Sequence, residues 1–180
     1  MLEIEKRYKL NGDISDIPKE KIKSQYRIEQ VYSNIASGTS PAPDCRIRKI
    51  TDIDDKESYF HTVKYIIKSI NIREEIEQQI TEKQYNRIFK FINKKPVIKD
   101  RYLIDIENGL VAEIDYFPDL DETIVEIEFP NEETMNNFNN IKPVWIGQEI
   151  KGKQSYSVYV FSIINDELNS LQKLKHYINN

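Results

Sequence analysis

Cysteine occurs once, as Cys45, and histidine twice, as His61 and His176, in a chain of 180 residues. A single thiol cannot close an internal disulfide, which points to a reducing compartment. Three such side chains, scattered along the sequence, do not supply the Cys/His set of a zinc site. Cys45 reads as a plain strand residue, and His61 as a packing or surface residue on the opposite strand face from Thr62 and Lys64. Long apolar runs are missing as well. No stretch of 18 apolar residues occurs, and the sequence opens on charged residues rather than an apolar signal segment. A soluble, cytoplasmic protein is expected.

Proline, glycine and serine gather only at 36–44, ASGTSPAPD, which reads as a loop and lacks the lysine followed by Ser/Thr of a nucleotide P-loop. No linker and no long repeat divides the chain, so 1–180 is expected to form one domain. The net charge of −4 argues against a nucleic-acid or anionic-membrane surface.

Charge itself is plentiful, at 31% of residues, and its placement is the informative part. Ionic side chains sit at alternate positions through one strand-like stretch after another. Glu3, Glu5 and Arg7 stand around Leu2, Ile4 and Tyr8; Arg46 and Arg48 flank Ile47; Arg73, Glu75 and Glu77 surround Ile76. Lys99 and Arg101 follow, then Glu113 and Asp115 around Ile114, and Glu126 and Glu128 around Ile127. A period of two sends every second side chain to one face of a strand. Buried ions need partners or a charged ligand. A sheet curled around a wet, charged interior, with its apolar face outward under helices, accounts for the whole pattern.

The strands are expected at about 2–9, 25–33, 45–51, 57–67, 70–80, 96–106, 110–118 and 122–130. Glu107-Asn108-Gly109 marks a hairpin turn. Pro18 opens a short helix to about residue 24. Thr81 caps a helix over 82–93, whose Tyr85, Ile88, Phe89 and Ile92 fall at helical spacing. Another helix is expected at 131–139. The stretch 156–177 repeats apolar residues at the same spacing, through Val160, Ile163, Ile164, Leu168, Leu171 and Leu174. Its stripe is expected to pack on the barrel, with a contact between two copies of the chain as the second reading. The fold class is α+β: an eight-stranded antiparallel β-barrel or tunnel, charged inside and flanked by amphipathic helices.

Carboxylate clusters are the usual oxygen ligands of Mg²⁺ or Mn²⁺. Several arginines and lysines around one cavity suit a polyanion with many oxygens. Together they are the two halves of metal-assisted phosphoryl transfer. At this point the residues resemble the CYTH superfamily, the triphosphate tunnel metalloenzymes. Glu3-Ile4-Glu5-Lys6-Arg7 is similar to the family's Glu-x-Glu-x-Lys signature, with arginine at the last position. Further matches come in the family's order: Gln30 with Tyr32, Arg46 with Arg48, Thr62 with Lys64, and Arg73 with Glu75 and Glu77. After them come Lys99 with Arg101, Glu113 with Asp115, and Glu126 with Glu128. Trp145 to Glu149, through Lys153, Tyr156 and Ser157, resembles the closing motif, with Gln148 where lysine is common and Val158 where asparagine is common.

The resemblance spans residues 3 to about 157 and implies a tunnel that binds a triphosphate. Arg46, Arg48, Lys64, Arg73, Lys99 and Arg101 would then hold phosphate oxygens. Glu3, Glu5, Glu126 and Glu128 would hold Mg²⁺ or Mn²⁺. Glu75 and Glu77 would hold a second metal or orient the attacking water, and Glu113 and Asp115 would do either or orient the cations. Glu5, Arg7, Tyr32, Glu75 and Glu77 form the expected catalytic set. The implied activity is hydrolysis of inorganic tripolyphosphate or of the terminal phosphate of an organic triphosphate. A class IV-type adenylate cyclase or thiamine triphosphatase on the same tunnel is the alternative, and a non-catalytic polyphosphate-binding module the second.

Overall fold

The computed structural model describes residues 1–33, 44–69 and 71–151. The loop read at 36–44 (save Asp44), the helix read at 156–177, and the motif residues Lys153, Tyr156, Ser157 and Val158 lie outside the described residues.

Eight strands carry the ionic alternation: β1 (Leu2–Leu10), β2 (Ile22–Tyr32), β3 (Asp44–Asp52), β4 (Glu57–Ser69), β5 (Ile72–Ile80), β6 (Val97–Asp105), β7 (Val111–Phe117) and β8 (Glu122–Glu128). They run in the order β5-β4-β3-β2-β6-β7-β8-β1, every pairing antiparallel, and β1 pairs with β5 through Leu2–Glu74, Glu3–Arg73 and Ile4–Ile72. That last ladder closes the barrel, so hydrogen bonding runs around its full circumference. Closure places one face of every strand inside. The other face, outside, must be covered wherever it is apolar.

Two helices do much of the covering. In α1 (Glu82–Ile92), Thr81 accepts from the Gln84 backbone at 3.3 Å, and the Gln84 side chain accepts from the Thr81 backbone at 2.8 Å. This reciprocal cap satisfies two otherwise orphaned donors. Asn93, left-handed at φ 51°, ends the helix. Tyr85 is buried on the outer face of β2 and β3 against Val31 and Ile47, with Ile88, Phe89 and Ile92 packed beside it. Each such side chain contributes about 1.5–3 kcal/mol when fully buried. The second helix, α2 (Glu132–Asn137), is capped by Asn131 and passes into a 3-10 turn at Phe138–Asn140. Its Met135, with Phe138, joins Ile4, Tyr8, Ile114, Val125 and Ile127 in the main outer core.

Two expectations need correction. Residues 18–24 form no α-helix: Lys19–Lys21 make a single 3-10 turn, and β2 already begins at Ile22, where Ile22 pairs with Ile104. Four or five residues cannot offset the cost of a helical nucleus, whereas the ladder to β6 is available. A ninth strand, β9 (Ile146–Glu149), was not expected; it adds to β1 through Leu10–Ile146 and Tyr8–Glu149. Gly147 suits that close approach, since a Cβ there would lie 2.9 Å from the Lys9 carbonyl oxygen.

Candidate active site: a buried ionic network in the tunnel

The inward faces meet around a cavity of about 530 Å³. Arg7, Arg46, Arg48, Lys64 and Arg101 reach its wall, and so do seven glutamates: Glu3, Glu5, Glu75, Glu77, Glu113, Glu126 and Glu128. Each was expected on the charged face from strand parity alone, and the ladders explain why they converge. Arg7 faces Glu126 and Glu5 faces Glu128 across β1–β8; Arg46 faces Thr62, and Lys64 faces Glu75, on neighbouring strands.

The charges are connected pair by pair around the wall. Arg7 Nε donates to Glu126 at 2.7 Å and Arg7 Nη2 to Glu5 at 2.6 Å. Arg73 also donates to Glu5, and lies 3.2 Å from Glu3. Lys64 donates to Glu3 and lies 2.7 Å from Glu75. Arg48 donates to Glu77, which also accepts from the Thr62 hydroxyl at 2.9 Å. Arg101 forks onto Asp115 with two bonds of 2.6 Å, and its Nη2 donates to Glu126 at 2.9 Å. Fork-on-carboxylate geometry fixes both side chains. Lys99 completes this corner, donating to Asp115 at 2.5 Å.

Not every expected residue touches the cavity. Arg73 and Lys99 stand behind the wall, bracing Glu5 and Asp115 respectively. Tyr32 is also set back, its hydroxyl accepting from Arg46 at 3.5 Å, and burial pushes that phenol up to about 12. Gln30, 0% exposed and opposite Arg48, has no hydrogen-bond partner for either amide atom among the described residues.

Electrostatically the wall has two kinds of carboxylate. Burial works against the charge of Glu5, Glu75 and Glu126, but their cationic partners outweigh it. Arg7 draws Glu5 and Glu126 below the usual carboxylate range, and Lys64 draws Glu75 down to about 2. Glu3, Glu113 and Glu128 go the other way. Burial and then Glu5 push Glu3 up to about 8, while burial raises Glu128 with help from Glu113 and Glu75. Burial likewise raises Glu113 against the pull of Arg101. Among the described residues Glu128 has no cation within ion-pair distance, and Glu3 Oε2 is buried without a hydrogen bond. The cations are uneven too. Arg46 has no carboxylate within ion-pair distance among the described residues, and Arg48 Nε is buried unbonded.

For a divalent cation, no three carboxylates already converge at ligand distance among the described residues. Of the expected quartet, Glu126 has both oxygens engaged by Arg7 and Arg101. The fit lies in the donor chemistry instead: Glu3, whose Oε2 makes no hydrogen bond, Glu5, and Glu128, which stands opposite Glu5 and has no cation within ion-pair distance among the described residues, are hard oxygen donors.

One inward residue and one inward contact escaped the sequence reading. Asp44 begins β3 on the same parity as Arg46 and Arg48, with a buried, unbonded oxygen; extending the alternation two residues back would have found it. Thr62 was matched by motif, but its bond to Glu77 joins two strands and left no local signal. On the outer face, Cys45 has a partner that sequence spacing hid: His61 Nε2 lies 3.4 Å from its sulfur.

No family model and no curated protein matches the chain in sequence. Solved structures do match in three dimensions. The inorganic triphosphatase NE1496 superposes with a TM-score of 0.52 at 26% identity, covering 86% of this chain and 89% of that one. The barrel is the CYTH tunnel fold. PH1819 from Pyrococcus horikoshii OT3 shares this tunnel with a TM-score of 0.57, at 20% identity over 75% of this chain and 82% of its own. HpAC1 from Hippeastrum, described as having a dominant triphosphatase activity, matches with a TM-score of 0.54 at 17% identity, covering 77% and 84%.

Proposed function

We propose that the chain hydrolyses triphosphates inside this tunnel with the aid of Mg²⁺ or Mn²⁺, acting on inorganic tripolyphosphate or the end phosphate of an organic triphosphate. The observation that carries the reading is a cavity walled at once by Arg46, Arg48, Lys64 and Arg101 and by seven glutamates. The likeness to an inorganic triphosphatase supports it.

Charge balance explains why both signs are needed. Most of the cations are already paired with carboxylates in the empty wall. A triphosphate entering alone would face those carboxylates at short range, where like charges repel by several kcal/mol. Divalent cations at Glu3, Glu5 and Glu128 would remove the repulsion, and when bound they would polarise phosphoryl oxygens and neutralise the charge that develops there. Arg46, which has no carboxylate within ion-pair distance among the described residues, and Arg48, whose Nε is unbonded, are the natural first partners of the phosphate chain; Lys64 and Arg101 hold its flanks. Glu75 and Glu77 orient the attacking water by accepting its hydrogen bonds. Its oxygen forms the new bond to the terminal phosphorus as the bridging P–O bond breaks, and the water proton leaves to solvent. Arg7 carries a fixed charge, since guanidinium does not give up its proton. It supports Glu5 and Glu126 and transfers nothing.

A phosphate-release panel tests the assignment, with tripolyphosphate, pyrophosphate, ATP and thiamine triphosphate, each with Mg²⁺, Mn²⁺ or EDTA, and a parallel assay for cyclic AMP. Metal-dependent release from a triphosphate is expected. Cyclic AMP formed from ATP would instead make the chain a cyclase, and binding of tripolyphosphate without turnover would make it a polyphosphate-binding module.

A further inference from the structure

The ionic wall is bounded differently in its two directions. Along β6, β7 and β8 the inward positions next to Lys99, Asp115 and Glu126 are Val97, Phe117 and Ile124, all buried. The ladders tie them to the charged layer: Val97 pairs with Gln30 and Ile124 with Asp115, and the Lys99 ammonium stands 5.9 Å over the Phe117 ring. Apolar side chains thus line this end. In the other direction the wall meets water. The side chains of Glu5 and Glu126 are 9% and 14% exposed, those of Glu77 and Glu113 33% and 37%. A triphosphate in the cavity would therefore trail its remaining part toward Glu77 and Glu113.

On that side lies a second, smaller hollow of about 240 Å³, walled by Tyr26, Ile50, Asp52, Ser58 and Gln79, with Lys56 and Glu57 beside them. It continues the inner face of the barrel. Ile50 is two residues beyond Arg48 on β3, and Gln79 two beyond Glu77 on β5, a step of about 7 Å. Tyr26 pairs with Asp52 on one side and with Arg101 on the other, so its ring shares the face of Arg101. The turn between β3 and β4 is held by Asp52, whose Oδ1 accepts from the Asp54 and Lys56 backbones at 3.0 and 2.9 Å.

The chemistry of this hollow is unlike that of the cavity. Among the described residues it has one lysine against two carboxylates and no arginine, so a further phosphate would meet net repulsion. It offers instead an aromatic face, an isoleucine, and the Gln79 amide, which both donates and accepts. Asp52 adds an acceptor for N–H groups. Pockets for drug-sized ligands measure roughly 300–1,000 Å³, and this smaller one suits a single flat ring system.

We propose that the hollow seats the organic end of the substrate, a flat heterocycle bearing amino groups, stacked on Tyr26 and read at its edge by Gln79 and Asp52. This rests on the triphosphatase reading and narrows it: the preferred substrate is an organic triphosphate rather than tripolyphosphate. Adenine and the aminopyrimidine of thiamine share the required chemistry.

Steady-state kinetics with ATP, thiamine triphosphate and tripolyphosphate test this in the parent, Tyr26→Ala and Tyr26→Phe. The kcat/KM of an organic triphosphate relative to that of tripolyphosphate should fall about tenfold in Tyr26→Ala, the scale of one lost stacking contact. It should stay near the parent value in Tyr26→Phe, which keeps the ring. The substrate whose ratio falls names the heterocycle. A ratio unmoved for both organic substrates in Tyr26→Ala, or lowered as far in Tyr26→Phe, would overturn the proposal, as would a parent that prefers tripolyphosphate to both. Release from no triphosphate at all would instead defeat the triphosphatase reading. Calorimetry with Ca²⁺ and the same three ligands then decides the subsite by itself. Binding of an organic triphosphate about tenfold weaker in Tyr26→Ala is expected, and equal binding by parent and variant would overturn the proposal.

Discussion

Arg7 and Glu126 face each other across the β1–β8 ladder and are joined by a 2.7 Å hydrogen bond, while the same guanidinium holds Glu5 at 2.6 Å. One cation thus keeps two buried carboxylates from repelling each other. Removing one partner of such a buried group costs about 3–5 kcal/mol. Arg7→Ala should therefore lower the stability of the metal-free protein by about that amount. Divalent metal should restore part of the loss, because it supplies positive charge to the same carboxylates. Urea titrations with EDTA and with Mg²⁺ check this. Equal losses under both conditions would remove Glu5 and Glu126 from the metal's surroundings.

The strand plan was legible because alternation of ionic and apolar residues is a local signal, repeated in β1, β3, β5 and β8. The helix α1 was legible for a similar reason, with Thr81 and the spacing of Tyr85, Ile88, Phe89 and Ile92 inside eleven residues. What sequence could not supply was long-range. β9 has four residues, too few for a period, and exists because the edge of β1 is open beside it. The pairing of Arg101 with Asp115 and of Arg48 with Glu77 depends on which strands adjoin, so parity placed these side chains inside without naming their partners. The setting of Arg73 and Lys99 behind the wall depends on the same adjacency.

Glu5 lies where a metal-holding role and a structural role can be separated. Glu5→Gln keeps its shape and removes its charge, and activity should fall at least about tenfold, the scale of losing a metal-supporting contact. The midpoint for Mg²⁺ or Mn²⁺ activation should rise together with that fall. A Glu5→Gln protein with full activity at limiting metal would dismiss Glu5 as a ligand.

Arg46 and Arg48 should act on binding more than on folding, since Arg46 has no carboxylate partner among the described residues to leave behind. Arg46→Ala should weaken tripolyphosphate affinity by about 1.5–3 kcal/mol, the range of a hydrogen bond to a charged group. Arg48→Ala should do the same while also freeing Glu77, so its apo stability should drop further than that of Arg46→Ala. Calorimetric titration with Ca²⁺ in place of the activating metal gives the affinities. Unchanged affinity in both variants would mean that the phosphate chain lies elsewhere in the cavity.

Lys99 gives the tunnel a pH dependence. Burial, then the neighbouring Arg101 charge, push its ammonium down to about 8 although Asp115 pulls the other way. In the unfolded chain it titrates near its ordinary 10.5. The unfolded state therefore binds more protons between about pH 8 and 10.5, and this group's contribution to folding stability rises with pH across that window. Ligand affinity should move in the opposite direction. A polyanion in the cavity favours the charged ammonium through Arg101 and Asp115, so binding above pH 8 must take up a proton, and affinity falls as pH rises. Tripolyphosphate titrations with Ca²⁺ in buffers of differing ionisation enthalpy should show that uptake at pH 8.5–9, and Lys99→Met should remove it. The control Lys99→Arg, charged throughout, should bind with a flatter profile than the parent. Uptake that persists undiminished in Lys99→Met would place the titrating group on the phosphate or elsewhere in the wall.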